Sequence, residues 1–214
     1  MTIMNLDPIT AESFAIVDAE LAALGIQVPP DQHLLVRRAI HSTADFELAH
    51  ALRFHPQAIE RGVAALQVGA AVVSDVRMVA VGIDRRRLHA LGGRVLCQVA
   101  EQATADEART TGATRSAAGV RLALREAREG AIVVIGNAPT ALREVLRQID
   151  AGVMRPALII GVPVGFVDAA ESKAALMERD SVPWIAVAGR KGGSPVAAAL
   201  INALLHLAVP AVEE

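Results

Sequence analysis

Three glycine-containing loops carry most of the residue types that could bind a negatively charged ligand. They comprise residues 136–140, 161–167 and 189–195. Each follows a short apolar run and precedes a helical pattern, so each should turn free backbone N–H groups and the positive end of a helix dipole toward one edge of a sheet. Arg190 and Lys191 add two cations with no acidic residue beside them in the sequence. The pattern predicts an oxygen-rich anion, either phosphate or several carboxylates.

The same loops also contain ordinary helix-capping signals. Asp168 and Glu171 have the spacing of a capping box, and Ser194 precedes Pro195 as an N-cap precedes a proline in the first helical position. No loop contains a nucleotide-binding glycine fingerprint, which disfavours a nucleotide-dependent α/β enzyme without excluding it. Simple capping and ligand binding both stay open at this point.

His41 is the histidine whose neighbours could tune it as an acid. If residues 31–52 form one helix, Arg37 and Arg38 lie four and three positions before His41, and Asp45 lies four positions after it. The carboxylate favours the imidazolium and the arginines oppose it, so His41 could donate a proton near neutral pH. The alternative is a partly buried histidine in a local ion pair. The six histidines lack metal-ligand spacing, and we expect no protein-bound metal.

The elements that must position these residues are predicted by the apolar runs. Strands are expected at residues 70–74, 94–99, 132–135, 158–160 and 185–188. Helices are expected at residues 10–24, 31–52, 55–68, 114–129, 140–151, 169–179 and 195–207. This alternation predicts an α/β fold, with a mostly parallel sheet flanked by helices on both faces and an N-terminal helical segment. Ligands bind such sheets beyond the carboxyl ends of the strands, where the three loops are expected.

Composition narrows the function further. A chain of 214 residues is predicted to form a single domain, 1–214, and 42 alanines predict an aliphatic core. With 21 basic and 23 acidic residues the net charge is −2, and aromatic residues make up 2% of the chain, so we expect no nucleic-acid partner. No secretory signal or apolar run of membrane-spanning length is visible. The sequence therefore predicts a cytoplasmic protein with no membrane contact.

Taken together, the motifs resemble the precorrin-8X methylmutase family. The similar segments are, in chain order, residues 13–16, 40–45, Asp75 with Met78 and Gly82, 114–117, 136–142, 161–173 and 189–194. The resemblance implies a homodimeric α/β isomerase of cobalamin biosynthesis that moves a methyl group from C-11 to C-12 of precorrin-8 or cobalt-precorrin-8. It implies no added cofactor, with cobalt present only as part of the substrate. It also implies that His41 protonates a ring nitrogen.

The resemblance and the loop pattern together give an expected set of contacts to the corrinoid substrate. These are Ser13, Arg38, Asp75, Met78, Gly82, Arg115, Ser116, Asn137, Thr140, Gly165, Glu171, Ser172, Lys173, Arg190, Gly192 and Gly193. A concerted methyl shift needs a proton and a pocket rather than a nucleophile, and the chain has no tyrosine to compete with His41 as the acid.

Two questions about the substrate and the activity stay open in the sequence. Residues 42–45 and 189–194 are closer to the branch of the family that uses cobalt-precorrin-8, which we expect to be slightly preferred. A non-catalytic corrinoid carrier would use the same pocket and is the alternative function.

Overall fold

The apolar runs form a six-stranded sheet in the computed structural model, which describes residues 7–127 and 129–209. The strands are β1 (Leu52–Phe54), β2 (Val72–Ser74), β3 (Val95–Leu96), β4 (Ile132–Ile135), β5 (Leu158–Gly161) and β6 (Trp184–Val187). Their order is β1-β6-β5-β4-β2-β3, with β1 antiparallel to β6 and the other neighbouring pairs parallel. The predicted mostly parallel α/β sheet is confirmed.

Helices cover both faces of this sheet. They are α1 (Pro8–Ala23), α2 (His33–His41), α3 (Glu47–Ala51), α4 (Ala58–Gln67), α5 (Arg77–Gly82), α6 (Arg85–Ala90), α7 (Gln102–Thr111), α8 (Arg115–Glu126), α9 (Pro139–Asp150), α10 (Ala169–Met177) and α11 (Ser194–Ala208). Successive strand residues point to opposite faces, so Val134 packs with α1–α6 and α11 while Val133 packs with α8–α10. Helix α7 lies against α8. In the part of the chain described, no helix is long and apolar enough to cross a membrane.

The strand order reverses direction between β2 and β4. The chain passes from β2 to β3 on one side and then returns to place β4 on the other side of β2. Such a reversal opens a crevice at the carboxyl ends of the two strands, which is the usual ligand-binding position in an open α/β sheet. Asp75 follows β2 directly and Gly136 follows β4 directly, so these two residues lie at the strand ends where the crevice is expected.

The predicted helix over residues 31–52 is wrong, because the chain turns directly after His41. The hydroxyls of Ser42 and Thr43 donate to the carbonyl of Ala39, and this competes with continuation of the helix. Ala44 has a φ of 53°, in the left-handed region. Asp45 therefore leaves the helix, and the expectation that it lies on the His41 face is wrong.

Several other local predictions were wrong or incomplete. Strand β1 lies inside the predicted N-terminal helical segment, and α5, α6 and α7 were not predicted. Gly193, not Ser194, precedes α11, and Ser194 is already the first helical residue. Asp168 has a φ of 60° and makes no capping hydrogen bond, because its carboxylate accepts hydrogen bonds from Arg143. Asp168 therefore holds the predicted N-cap position without the capping hydrogen bond, and the N-cap predicted at Ser194 is wrong.

Glu144 anchors α9, the helix that begins beside the crevice. The carboxylate is 6% exposed and accepts hydrogen bonds from Arg121, Arg147 and Gln148 at 2.7 to 3.1 Å. Burial alone would raise the pKa of Glu144, but the hydrogen bonds from Arg147, Arg121 and Gln148 lower it to about 2. Since the ordinary value is 4.5, the ionised carboxylate stabilises the fold at neutral pH.

We expect Glu144→Gln to lose about 3 kcal/mol of unfolding free energy at pH 7. The native pKa is depressed, so this stabilisation is complete above about pH 4.5 and is lost as the pH falls toward 2. Urea unfolding of both proteins at pH 7 and pH 3 measures the difference. The control is Asp150→Asn, which breaks an exposed pair with Arg179 and should cost less than about 1 kcal/mol. A Glu144 effect of equal size at both pH values would contradict this account.

Candidate functional site

Asp75 joins the two strand ends that form the crevice. Its side chain is 1% exposed, and its carboxylate accepts hydrogen bonds from the backbone N–H groups of Gly136 at 3.0 Å, Asn137 at 2.9 Å and Ala138 at 2.7 Å. Burial raises the pKa of the Asp75 carboxyl, and the three donors offset this only in part. The first loop was expected to offer these N–H groups to a ligand, and that expectation is wrong because Asp75 occupies them.

Asn137 is left exposed by this arrangement, next to a second group of predicted contacts. The Oγ1 atoms of Thr140 and Thr114 lie 2.8 Å apart, which brings the N-termini of α9 and α8 together. Thr114 caps α8 by accepting a hydrogen bond from the N–H of Ala117. Arg115 occupies the first turn of α8 and is exposed. Its neighbour Ser116 is half-buried, so the structure gathers four predicted contacts at this corner of the crevice.

The second and third loops are bound to each other through their backbones. Gly193 donates to the carbonyl of Val162 at 2.8 Å, and Gly165 donates to the carbonyl of Arg190 at 3.2 Å. Gly192 has a φ of 142°, and a Cβ atom there would lie 2.2 Å from the carbonyl oxygen of Val162. Only glycine permits this close approach. The loops therefore form one rigid wall of the crevice.

Exposed apolar side chains cover the outer surface of this wall. Phe166 is 84% exposed, and the guanidinium of Arg190 lies 5.6 Å from the centre of its ring. Val164 and Val167 on the second loop are also exposed, as are Met78 and Val81 on α5. A patch of this kind suits the apolar face of a large ligand or a protein surface. Sequence reasoning did not assign a role to Phe166, although it is one of four phenylalanines in the chain.

Two predicted contacts on α10 are buried behind the wall. The Lys173 ammonium donates to the carbonyl of Lys191 at 2.6 Å. The Ser172 hydroxyl donates to the carbonyl of Ala169 at 3.2 Å. Both residues are fully buried, whereas Glu171 is exposed in the first turn of the helix. Burial lowers the pKa of Lys173 to about 8. In this conformation Lys173 supports the third loop, Ser172 bonds within its own helix, and neither side chain reaches the surface.

Lys191 ties the third loop to the turn that follows His41. Its ammonium lies 2.6 Å from a carboxylate oxygen of Asp45 and 2.8 Å from one of Glu47. The expectation that Lys191 has no acidic neighbour is therefore wrong, because these partners are distant in sequence. The hydrogen bond to Asp45, followed by that to Glu47, raises the pKa of Lys191. This ion pairing therefore holds residues 45–47, which follow His41, against the third loop at the sheet edge.

We expect Lys173→Met to impair activity without lowering stability. The pKa of Lys173 is lowered from 10.5 to about 8, so its charge costs stability at pH 7; that cost falls as the pH rises from 8 and is gone above 10.5. An apolar side chain of similar length removes the cost but also the hydrogen bond to Lys191, and the displaced loop should lower kcat/KM about tenfold. Urea unfolding and steady-state kinetics measure the two effects. Reduced stability with unchanged kcat/KM would contradict a positioning role.

His41 is the last residue of α2 and is exposed to solvent. Its imidazole stands edge-on to the buried ring of Phe14, with a centroid distance of 5.3 Å and an interplanar angle of 86°. The guanidinium of Arg37 lies 4.3 Å from the same ring and that of Arg38 lies 5.7 Å from it. Ser13, beside Phe14 on α1, donates its hydroxyl to the carbonyl of Ile9. Sequence reasoning did not assign Phe14 the role of orienting His41.

Helix α5, which carries Met78 and Gly82, packs against α11 on the His41 side of the sheet. Met78 is 66% exposed. A Cβ atom at Gly82 would lie 2.8 Å from the Cβ of Ala198, so the glycine permits close packing of the two helices. Among residues 7–127 and 129–209, no group of three or more His, Cys, Asp or Glu side chains could hold a metal ion.

The arrangement combines three chemical features around one sheet edge. His41 offers an exposed proton donor, the loops and α5 offer an apolar surface, and Arg115 and Arg190 offer cations at its rim. These features suit a large ligand with an apolar face and a negatively charged rim. Protonation by His41 would then polarise the ligand at a fixed position.

Comparison with known proteins gives consistent matches over nearly the whole chain. The family model described as precorrin-8X methylmutase matches residues 8–207. A precorrin-8X methylmutase of Pseudomonas aeruginosa is 48% identical over 194 residues, which cover 90% of this chain and 91% of that protein. A cobalt-precorrin-8 methylmutase of Priestia megaterium is 43% identical over 200 residues, which cover 94% of this chain and 87% of that protein. The solved structure of precorrin-8X methylmutase from Thermus thermophilus superposes with a TM-score of 0.85 at 44% identity. The superposition covers 94% of this chain and 95% of that structure.

Proposed function

Because this chain belongs to the precorrin-8X methylmutase family of cobalamin-biosynthesis isomerases, we propose that it moves a methyl group from C-11 to C-12 of the corrinoid ring. His41 donates a proton to a ring nitrogen, the bond from the methyl group to C-11 breaks, and the bond to C-12 forms. Loss of the same proton completes the isomerisation. The observation that carries this role is the exposed imidazole of His41, which Phe14 orients edge-on at 5.3 Å.

The rim of the substrate supplies the anionic groups that the cations bind. Its acetate and propionate carboxylates can pair with Arg115 and Arg190, since guanidinium groups bind carboxylates in bidentate geometry. The apolar ring lies on the exposed patch that includes Met78 and Phe166. The remaining predicted contacts on the surface stay proposals. Asp75 and Lys173 act in this proposal by positioning the loops.

The proposal includes three further properties of the enzyme. It acts as a homodimer, as the resemblance to the family implies. It needs no added cofactor, because a concerted shift requires only a positioned acid, and any cobalt belongs to the substrate. Its location in the cytoplasm and the single domain over residues 1–214 stay predictions.

A visible absorption spectrum distinguishes this enzyme from a corrinoid carrier. Methyl migration changes the conjugation of the ring, so mixing the protein with precorrin-8X should convert the spectrum over many turnovers. A carrier would instead bind the ring stoichiometrically without converting it. Binding without conversion of either the metal-free or the cobalt-bearing substrate would overturn the proposal.

Turnover on the two substrates tests the proposed preference for cobalt-precorrin-8. The relatives include both kinds of enzyme. A precorrin-8X methylmutase is 48% identical to this chain, and a cobalt-precorrin-8 methylmutase is 43% identical to it. We expect a higher kcat/KM for cobalt-precorrin-8, based on the residues that follow His41 and on the third loop. A higher kcat/KM for the metal-free substrate would reverse this assignment and leave the isomerase activity intact.

A further inference from the structure

A row of side chains links α1 to α2 on the side of the fold that carries His41. Phe14 and Asp18 lie four positions apart on α1, and Arg37 lies four positions before His41 on α2. Residues four positions apart share one face of a helix, so each helix can turn two of these side chains toward the other. The Asp18 carboxylate stands at one end of the row and the His41 imidazole at the other.

The first contact in this row is an ion pair. Arg37 donates a hydrogen bond from Nη1 to Oδ2 of Asp18 at 2.9 Å. It is the only hydrogen bond of the Arg37 guanidinium within residues 7–127 and 129–209, where its Nε atom has no partner. The other oxygen of Asp18 lies 3.2 Å from Nε2 of His33 but forms no hydrogen bond there. Asp18 is therefore the group that fixes the mostly buried guanidinium of Arg37.

Two aromatic contacts carry this restraint to His41. The guanidinium of Arg37 lies over the Phe14 ring, 4.3 Å from its centroid, where the π-electrons attract a cation. The same ring stands edge-on to the imidazole of His41, at a centroid distance of 5.3 Å and an angle of 86°. An exposed side chain at a helix end has several rotamers to choose from. The contact with Phe14 restricts that choice, and Arg37 in turn restricts Phe14.

We propose that Asp18 is a positioning residue for His41 and acts through Arg37 and the Phe14 ring. The inference rests on the proposed function only for the proton that His41 donates. Without the Asp18 carboxylate the guanidinium loses its partner and leaves the face of the ring, so both rings gain freedom. A proton donor must stay near its productive geometry during the reaction. This freedom therefore lowers kcat more than it changes the affinity for the substrate.

Steady-state kinetics on variants of Asp18 tests this role. We expect Asp18→Ala to lower kcat about fivefold and to keep KM within about twofold of the wild-type value, because the restraint acts on the acid and not on the substrate. Asp18→Glu should restore most of kcat, since it keeps the carboxylate. The control is Asp31→Ala, which removes the same charge from an exposed residue between α1 and α2 and should change neither constant by more than about twofold.

The NMR signals of the His41 imidazole provide a second readout, measured without substrate. The Phe14 ring shifts the signals of protons close to it, so the His41 signals report where the imidazole lies relative to that ring. Phe14→Leu gives their values without the ring. In Asp18→Ala we expect the His41 signals to move toward the Phe14→Leu values. In Asp31→Ala and in Asp18→Glu they should stay near the wild-type values.

Either of two results would overturn the inference. One is a set of His41 signals in Asp18→Ala that matches the wild type, and the other is a wild-type kcat in that variant. Urea unfolding checks that each variant is folded. If Asp18→Ala does not fold, Asp18→Asn, which keeps a neutral acceptor for Arg37, gives the same comparison with smaller expected shifts. Absence of turnover in the wild type would contradict the proposed function, whereas the NMR comparison would still decide the positioning role.

Discussion

His41→Ala is expected to lower kcat about 10²- to 10⁴-fold while leaving corrinoid binding nearly unchanged. The imidazole ends α2 at an exposed position and packs against the buried Phe14 ring, so its removal leaves no cavity in the core. Arg115, Arg190 and the loops, which are proposed to hold the carboxylate rim, lie on other elements and are unaffected. Loss of turnover with retained affinity is the kinetic sign of a group that acts in the transition state. Turnover and product titration on the same sample measure both quantities.

A second histidine variant shows whether the His41 effect is specific. His50 on α3 is exposed like His41, and its imidazole makes no hydrogen bond in the part of the chain described. His50→Ala should therefore keep kcat within about twofold of the wild-type value. Near-wild-type turnover in His41→Ala would exclude His41 as the acid. The sequence contains no tyrosine that could take over the proton donation in the variant.

Asp75→Ala is expected to have the largest effect on stability, about 3–5 kcal/mol of unfolding free energy. The substitution removes the acceptor for three backbone N–H groups in the loop between β4 and α9. Two of these hydrogen bonds are buried, so water cannot replace the carboxylate there. Asn137 belongs to this loop, and kcat/KM should fall together with stability. Urea unfolding and kinetics on the folded protein measure the two effects.

Asp75→Asn keeps the test valid if the alanine variant does not fold. Its single side-chain oxygen can accept from Asn137 and Ala138, while its amide group faces the N–H of Gly136, so the loss should be intermediate. Asp106→Asn on α7 changes an exposed carboxylate and should cost less than about 1 kcal/mol. An alanine variant as stable as the Asp106 control would show that the loop does not depend on Asp75.

The sheet and the position of the site were predictable because both follow from local patterns. Runs such as Ile132–Ile135 are apolar throughout, as strands covered on both faces must be, and each ends at a glycine or a polar residue. Parallel strands place their carboxyl ends at one edge, so the three loops had to meet there. The short strand Leu52–Phe54 could not be predicted, because its pairing with β6 is a tertiary contact.

The partners of individual groups could not be predicted for the same reason. The loop N–H groups after β4 were expected to face a ligand, but β2 places the Asp75 carboxylate against them. Lys191 looked unpaired until the turn after His41 brought Asp45 to 2.6 Å. Lys173, expected at the surface, is buried because its helix packs behind the two bound loops. In each example the decisive contact joins residues that are far apart in sequence.

The position of the methyl group in the product tests the central claim most directly. Precorrin-8X or cobalt-precorrin-8 that carries a ¹³C-labelled methyl group at C-11 is incubated with the wild-type protein alone, and the product is examined by NMR. The account predicts that the labelled carbon is bonded to C-12 in every converted molecule, without any added cofactor. A label that stays on C-11 while the corrinoid is bound would contradict it.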